Sequence, residues 1–233
     1  MRKYAIYMLV HLLVLYGCGF SESAKENAIC SAFENLYNSN FSYLKEDNVY
    51  SDGEHQRTLY IGKYSARPYV EYVFVPEGNI YQHLYYYEGA DCINAKVNVN
   101  GEWQEQIVNR EYFYGYGENI TILQEKELTI ENTDYIVYNT EFELSLNKKN
   151  SGLDNMAVKV PQEYYIEKQS GKIERIVTYL SDLQKEIYIV NDMSVNGTSF
   201  ENASQNANKM DNFERIVDVS IEYEKEDFQI VLP

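Results

Sequence analysis

The chain has 233 residues, 36 acidic and 20 basic, for a formal net charge of −16 at pH 7. Such a surface repels nucleic-acid phosphates and anionic headgroups, and no basic cluster interrupts it, so neither is expected as a partner. The length suits one sizeable domain with its own core, and no internal repeat or second-domain boundary is visible.

The first segment reads as a leader. Arg2 and Lys3 precede the uncharged, mostly apolar stretch Ala5 to Leu15, which runs into Leu15-Tyr16-Gly17-Cys18. A positive start, a short apolar run and a small residue make a secretory signal, too brief to span a membrane. The Leu-x-Gly-Cys ending is similar to a bacterial lipobox, in which the cysteine is acylated and becomes the mature N-terminus. Tyr16 departs from that pattern, because a small residue is usual there. On this reading residues 1–17 are the signal peptide, Cys18 carries the lipid (acyl chains such as palmitate), and 18–25 form a tether. Two or more chains anchor durably, since each buried methylene contributes about 0.8 kcal/mol. The expected location is the cell membrane, lipid-anchored on its extracytoplasmic face. The leader holds two of the 20 basic residues and none of the 36 acidic ones, so the remainder carries −18.

A helix follows the tether. Ser23 and Glu26 fit a capping box, and Ile29, Ala32, Phe33, Leu36 and Tyr37 recur at helical spacing on one stripe. That stripe needs an apolar surface to lie on. Beyond Cys18 the only cysteines are Cys30, on this helix, and Cys92, in an expected loop. An exported protein could pair them, and the sequence leaves that open.

Everything after Phe41 reads mainly as strand. The expected segments are 41–50, 57–64, 69–75, 80–87, 95–99, 102–108, 120–124, 135–146, 160–167, 172–180, 186–190, 216–223 and 228–232. They are rich in Val, Ile and Tyr and separated by Gly, Asn, Asp and Pro. Asn100-Gly101 signals a hairpin, and Gln169-Ser170-Gly171 a further turn. Strands joined by such turns run antiparallel. Residues 109–118 (with Tyr112, Tyr114 and Tyr116) resist assignment, whereas 147–156 and 191–211 read as polar, mobile connections.

Parity separates two kinds of strand. In the late ones Val217, Val219, Ile221 and Tyr223 alternate with Asp218, Ser220 and Glu222, giving one apolar face. The middle ones are bulky on both faces: Val70, Tyr72 and Phe74 oppose Val73 and Val75, and Tyr81, His83, Tyr85 and Tyr87 oppose Leu84 and Tyr86. A strand apolar on both sides is covered twice. The N-terminal helix is one expected cover, and more protein or a ligand the other. The 24 tyrosines match an AT-rich coding bias, or else line a wet aromatic wall.

The leader, the helix, the run of strands, the segment Tyr164-Tyr165-Ile166-Glu167-Lys168-Gln169-Ser170-Gly171-Lys172-Ile173 and the ending Phe228-Gln229-Ile230-Val231-Leu232-Pro233 together resemble bacterial lipoproteins of the lipoprotein-carrier (LolA-like) superfamily. The resemblance implies an α+β fold over 26–233, a helix packed on a large, curved antiparallel sheet that forms an incomplete barrel. It also implies a cavity that accepts acyl chains or other hydrophobic ligands. No lining position carries over from the family; the two-faced, tyrosine-rich middle strands make Tyr72, Phe74, Tyr81, His83, Tyr85 and Tyr87 the expected lining.

Catalytic signals are sparse. There is no Gly-x-Ser-x-Gly elbow, no phosphate-cradling glycine loop and no metal-ligand spacing, so no cofactor or metal is expected. After the leader only His55 and His83 remain: His55 in a polar turn, His83 among tyrosines as a hydrogen-bonded histidine. The sequence therefore points to a non-catalytic, membrane-anchored protein that binds or carries a hydrophobic ligand or serves as an envelope scaffold. The alternative is a recognition module for glycan or protein, working through tyrosines such as Tyr85, Tyr86 and Tyr87.

Overall fold

The computed structural model describes residues 24–66, 69–76, 82–88, 93–99, 101–108, 120–146, 156–209, 213–224, 228 and 230–233. The first helix, α1 (Ala24–Tyr37), leads into six strands: β1 (Phe41–Ser51), β2 (Glu54–Ala66), β3 (Tyr69–Val75), β4 (Gln82–Glu88), β5 (Ile93–Val99) and β6 (Glu102–Val108). Next come β7 (Thr121–Ile130), β8 (Thr133–Leu146), β9 (Met156–Glu167), β10 (Ile173–Tyr179), helices α2 (Ser181–Asn196) and α3 (Phe200–Asn208), and β11 (Glu214–Tyr223).

All eleven strands form one sheet in the order β6-β5-β4-β3-β2-β1-β11-β10-β9-β8-β7, and every pairing is antiparallel. Two meanders thus meet at the centre, where the first strand pairs with the last. Hairpins set their register. Asp52-Gly53 (φ 51° and 82°) and Glu131-Asn132 (φ 49° and 70°) supply the two consecutive left-handed residues that a type I′ turn needs. The edges β6 and β7 are neighbours in sequence. Ten interstrand steps of about 4.8 Å would hold the edges of a flat sheet roughly 48 Å apart. The chain from Val108 to Ile120 can reach only about 42 Å. The sheet therefore curves, and with β6 and β7 unpaired it stays open.

Helix α1 lies on the centre of one face. Ile29, Ala32, Phe33 and Leu36 are buried on Phe41, Tyr64, Tyr164, Ile166, Ile173 and Ile176. The Phe33 ring meets Tyr164 edge-on at 5.2 Å, and Tyr164 is 0% exposed. Its hydroxyl donates to Gln162 Oε1, and Gln162 Nε2 donates to Thr178 Oγ1 at 2.9 Å, so the polar atoms beneath the helix are paired. Cys30 on α1 is disulfide-bonded; the other two cysteines, Cys18 and Cys92, lie outside the described residues.

Three expectations need correcting. The helix does not cover β4: the buried residues clustered with it belong to β1, β2 and β8–β11, with Tyr69 at the start of β3 at the margin and Lys25 paired with Glu125 on β7, because β1–β11 pairing places the centre of the sheet there. The strand expected over 186–190 is helical instead, and the connection expected over 191–211 is helical over 191–196 and 200–208. The β-branched Ile187, Ile189 and Val190 imitate a strand. Yet Ile189 and Met193 share a helix face that packs on Ala203 and Ala207 of α3. Gly197 closes α2 in the left-handed region (φ 67°), its N–H donating to the Asp192 carbonyl, and Ser199 caps α3. Finally, no sheet strand follows β11 among the described residues, so the ending that suggested a closing strand is not one.

Candidate functional site

Strand register sorts the side chains onto two faces. On the helix-bearing face, one cross-strand row reads Phe41, Tyr64, Glu71, Tyr86, Ala95 and Gln106, and the next reads Tyr43, Gly62, Val73, Leu84, Val97 and Gln104. Val73, Val75, Ile93 and Ala95 are buried there, and Leu84 and Val97 are half-buried. The result is an apolar wall on β3–β5 beside α1.

A polar cluster ends that wall at β1–β3. Tyr43 donates to Glu71 Oε1 at 2.5 Å, and Tyr69 donates to Oε2 at 3.4 Å. Tyr43 and Glu71 sit two strands apart, and the reach depends on Gly62 between them. A Cβ at Gly62 would stand 2.0 Å from the Tyr43 ring, which lies flat across the bare backbone. Lys45 extends over the Tyr60 ring at 4.6 Å. Burial pushes the Glu71 carboxyl up to about 7, against the Tyr43 hydrogen bond and the nearby Lys45, which favour its ionised form. Burial likewise holds Lys45 below the ordinary lysine range, although Asp47 and Glu71 oppose it.

The next position on that face, Asp47, is 6% exposed. It takes a two-pronged hydrogen bond from Arg215, Nε to Oδ1 at 2.9 Å and Nη2 to Oδ2 at 2.6 Å. Arg215 Nη1 donates to Gln184 on α2 at 2.9 Å, and the Arg215 backbone N–H donates to the Ser181 hydroxyl at 3.1 Å. This pair therefore fastens α2 across the helix-bearing face. None of Tyr43, Lys45, Glu71 or Arg215 was expected from sequence. The available signal was a carboxylate, Glu71, on the otherwise apolar parity of Tyr69, Val73 and Val75.

The sequence-derived candidates lie elsewhere. Tyr72, Phe74, His83, Tyr85 and Tyr87 share the face opposite α1, whereas Tyr86 belongs to the helix-bearing face. Tyr81, Tyr112, Tyr114 and Tyr116 lie outside the described residues. The five form a ladder: the Tyr72 hydroxyl is 2.7 Å from His83 Nδ1, Phe74 is 5.0 Å from the His83 ring, and Tyr72 is 4.9 Å from Tyr85. Tyr85 continues to Trp103 on β6 at 5.6 Å, and Tyr87 donates to Glu105. His83 is thus hydrogen-bonded among aromatics, as its parity suggests. His55, at the start of β2, stacks on Tyr50 at 4.4 Å. Among the described residues no grouping of His, Cys, Asp and Glu could hold a metal, and no helix is long and apolar enough to cross a membrane.

Fold and faces define an α+β protein built on an open, curved antiparallel sheet with its helices on one side. No family model and no curated protein matches the sequence. Solved structures do. The chain is similar to lipoprotein LppX of Mycobacterium tuberculosis, at 8% identity and a TM-score of 0.45, over 89% of this chain and 99% of that one. It is also similar to a DUF1329 family protein from Desulfovibrio piger, at 8% identity and a TM-score of 0.36, over 88% and 95%. An outer membrane lipoprotein-sorting protein domain from Vibrio parahaemolyticus matches at 8% identity and a TM-score of 0.35, over 89% and 96%.

The close approach at Gly62 carries a prediction. In Gly62→Ala the Tyr43 ring must swing away, and Glu71 loses the hydrogen bond that favours its ionised form. The Glu71 carboxyl is then expected to titrate above its parent value, read by NMR of 13C-labelled glutamate. Stability is expected to fall by about 1–3 kcal/mol. An unshifted carboxyl would mean that the Tyr43 bond is unimportant to it.

Proposed function

We propose that this chain is a non-catalytic lipoprotein of the cell envelope, anchored through Cys18 on the extracytoplasmic face, that holds a hydrophobic ligand on the helix-bearing face of its sheet. Residues 1–17 would be removed, 18–25 tether the body, and 26–233 form the binding domain. The observation that carries this reading is the wall of Val73, Val75, Leu84, Ile93, Ala95 and Val97, which ends at the hydrogen-bonded Glu71. Val73, Val75, Ile93 and Ala95 are already buried, so an acyl chain or comparable apolar molecule would meet the wall at the half-buried Leu84 and Val97, where contact removes apolar area from water on both partners. The polar cluster then lies where the polar end of an amphiphile would come to rest.

A fluorescent fatty acid titrated into full-length protein tests the assignment of face. Leu84 is half-buried on the wall, and Leu84→Glu is expected to weaken binding at least tenfold. Tyr72→Ala, on the other face, is expected to leave it unchanged. Loss of binding in Tyr72→Ala with retention in Leu84→Glu would put the ligand on the wrong side of the sheet for this proposal.

A further inference from the structure

Residues at the end of the chain reach two lysines that flank the ladder of aromatics on the face opposite α1. The Lys63 ammonium sits over the Phe228 ring at 5.5 Å, and Lys96 Nζ donates to the Pro233 carbonyl oxygen at 3.1 Å. These two lysines belong to one cross-strand row, Lys63, Tyr72, Tyr85 and Lys96, on β2, β3, β4 and β5. Three interstrand steps span about 14 Å, and five extended residues about 16 Å. The C-terminal segment, fastened at Phe228 and Pro233, has the length to run across the strands above Tyr72 and Tyr85. Its burial alternates accordingly. Phe228, Ile230 and Leu232 are half-buried, whereas Val231 is 76% exposed and Pro233 is exposed. An extended chain presents every second side chain to one surface.

We infer that this face of β2–β5 is a docking strip for an extended peptide with apolar residues at alternate positions, filled in cis by Phe228, Ile230 and Leu232. The rings give each alternate side chain an apolar seat, and Lys63 and Lys96 hold the two ends by an ammonium–ring contact and a hydrogen bond. Tethering keeps the segment's effective concentration near the millimolar range, so a competing peptide meets a mostly occupied site. A peptide of the same pattern from another protein binds only when the segment lets go. This strip is separate from the wall of β3–β5 on the helix-bearing face, and its test is independent of that proposal.

The probe is the labelled hexapeptide Phe-Gln-Ile-Val-Leu-Pro, added to full-length protein and followed by anisotropy. In Ile230→Asp/Leu232→Asp the cis segment no longer fits, and the peptide is expected to bind at least tenfold more tightly than to the parent. Adding Lys96→Glu to that variant is expected to remove the gain. Equal affinity for parent and variant would overturn the inference. Trp103, the one tryptophan of the chain, adjoins Tyr85 and is 43% exposed, so it reports release directly. Lys96→Glu alone, a change at the strip's surface, is expected to raise acrylamide quenching of Trp103. Unchanged quenching would place the segment elsewhere.

Discussion

Between pH 5 and pH 8 the unfolding free energy of the parent protein is expected to fall by more than that of Glu71→Gln, with the two curves diverging by up to about 3 kcal/mol. The Glu71 carboxyl holds its proton to about pH 7 in the fold, because burial disfavours the charge. In the unfolded chain a glutamate releases its proton near pH 4.3. Across that window the folded state binds more protons than the unfolded one, so stability declines as pH rises. The contribution of the raised pKa is greatest below about pH 4 and is gone above about pH 7. At 1.36 kcal/mol per pH unit, the full shift amounts to roughly 4 kcal/mol, of which up to about 3 kcal/mol falls between pH 5 and pH 8. Glutamine keeps a carbonyl acceptor for the Tyr43 hydroxyl but cannot ionise, so its variant lacks that slope. Urea titrations at each pH read the difference. Parallel curves for the two proteins would show that the carboxyl is solvated and the polar cluster open.

Asp47→Ala is expected to cost roughly 3 kcal/mol, the largest loss from any single charged side chain in the described structure. Removing one partner of a buried pair leaves the other charge without an anion. Here the survivor is the Arg215 guanidinium, about one-third exposed, with only Gln184 to accept from it. Since Arg215 also meets Ser181, α2 is expected to lose hydrogen-exchange protection at its first turn. The pair Arg57–Glu46 gives the contrast. It lies on the opposite face, with the arginine side chain half exposed, and Arg57→Ala is expected to cost under about 1 kcal/mol. Equal losses in the two variants would contradict the role given to Asp47.

How far the sequence could be read depended on whether a signal was local. Helix α1 was legible because Ile29, Ala32, Phe33 and Leu36 keep helical spacing, and strand faces were legible because parity has period two. Val217, Val219 and Ile221 do share the helix-bearing face, and Tyr72 and Phe74 the other one. Strand order is not local. Nothing in the spacing of Phe41 or Tyr223 says that β1 pairs with β11, yet that pairing centres α1 and sets Asp47 within reach of Arg215. The Glu131-Asn132 turn was missed because it reaches the left-handed region without glycine, so β7 extends to Ile130. Helices α2 and α3 were missed because their helical faces are short and interrupted by polar residues. The Glu71 cluster needed three strands in register and a glycine that makes room for a ring, and Gly62 in mid-strand was the one local hint.

The ligand claim is tested most directly by native mass spectrometry of the full-length protein, extracted from the membrane of the cell that makes it. The account predicts an added mass at Cys18 from the acyl chains, and a second, non-covalent mass that Leu84→Glu abolishes and Tyr72→Ala retains. Repeatedly empty protein, or an adduct insensitive to Leu84→Glu, would contradict it.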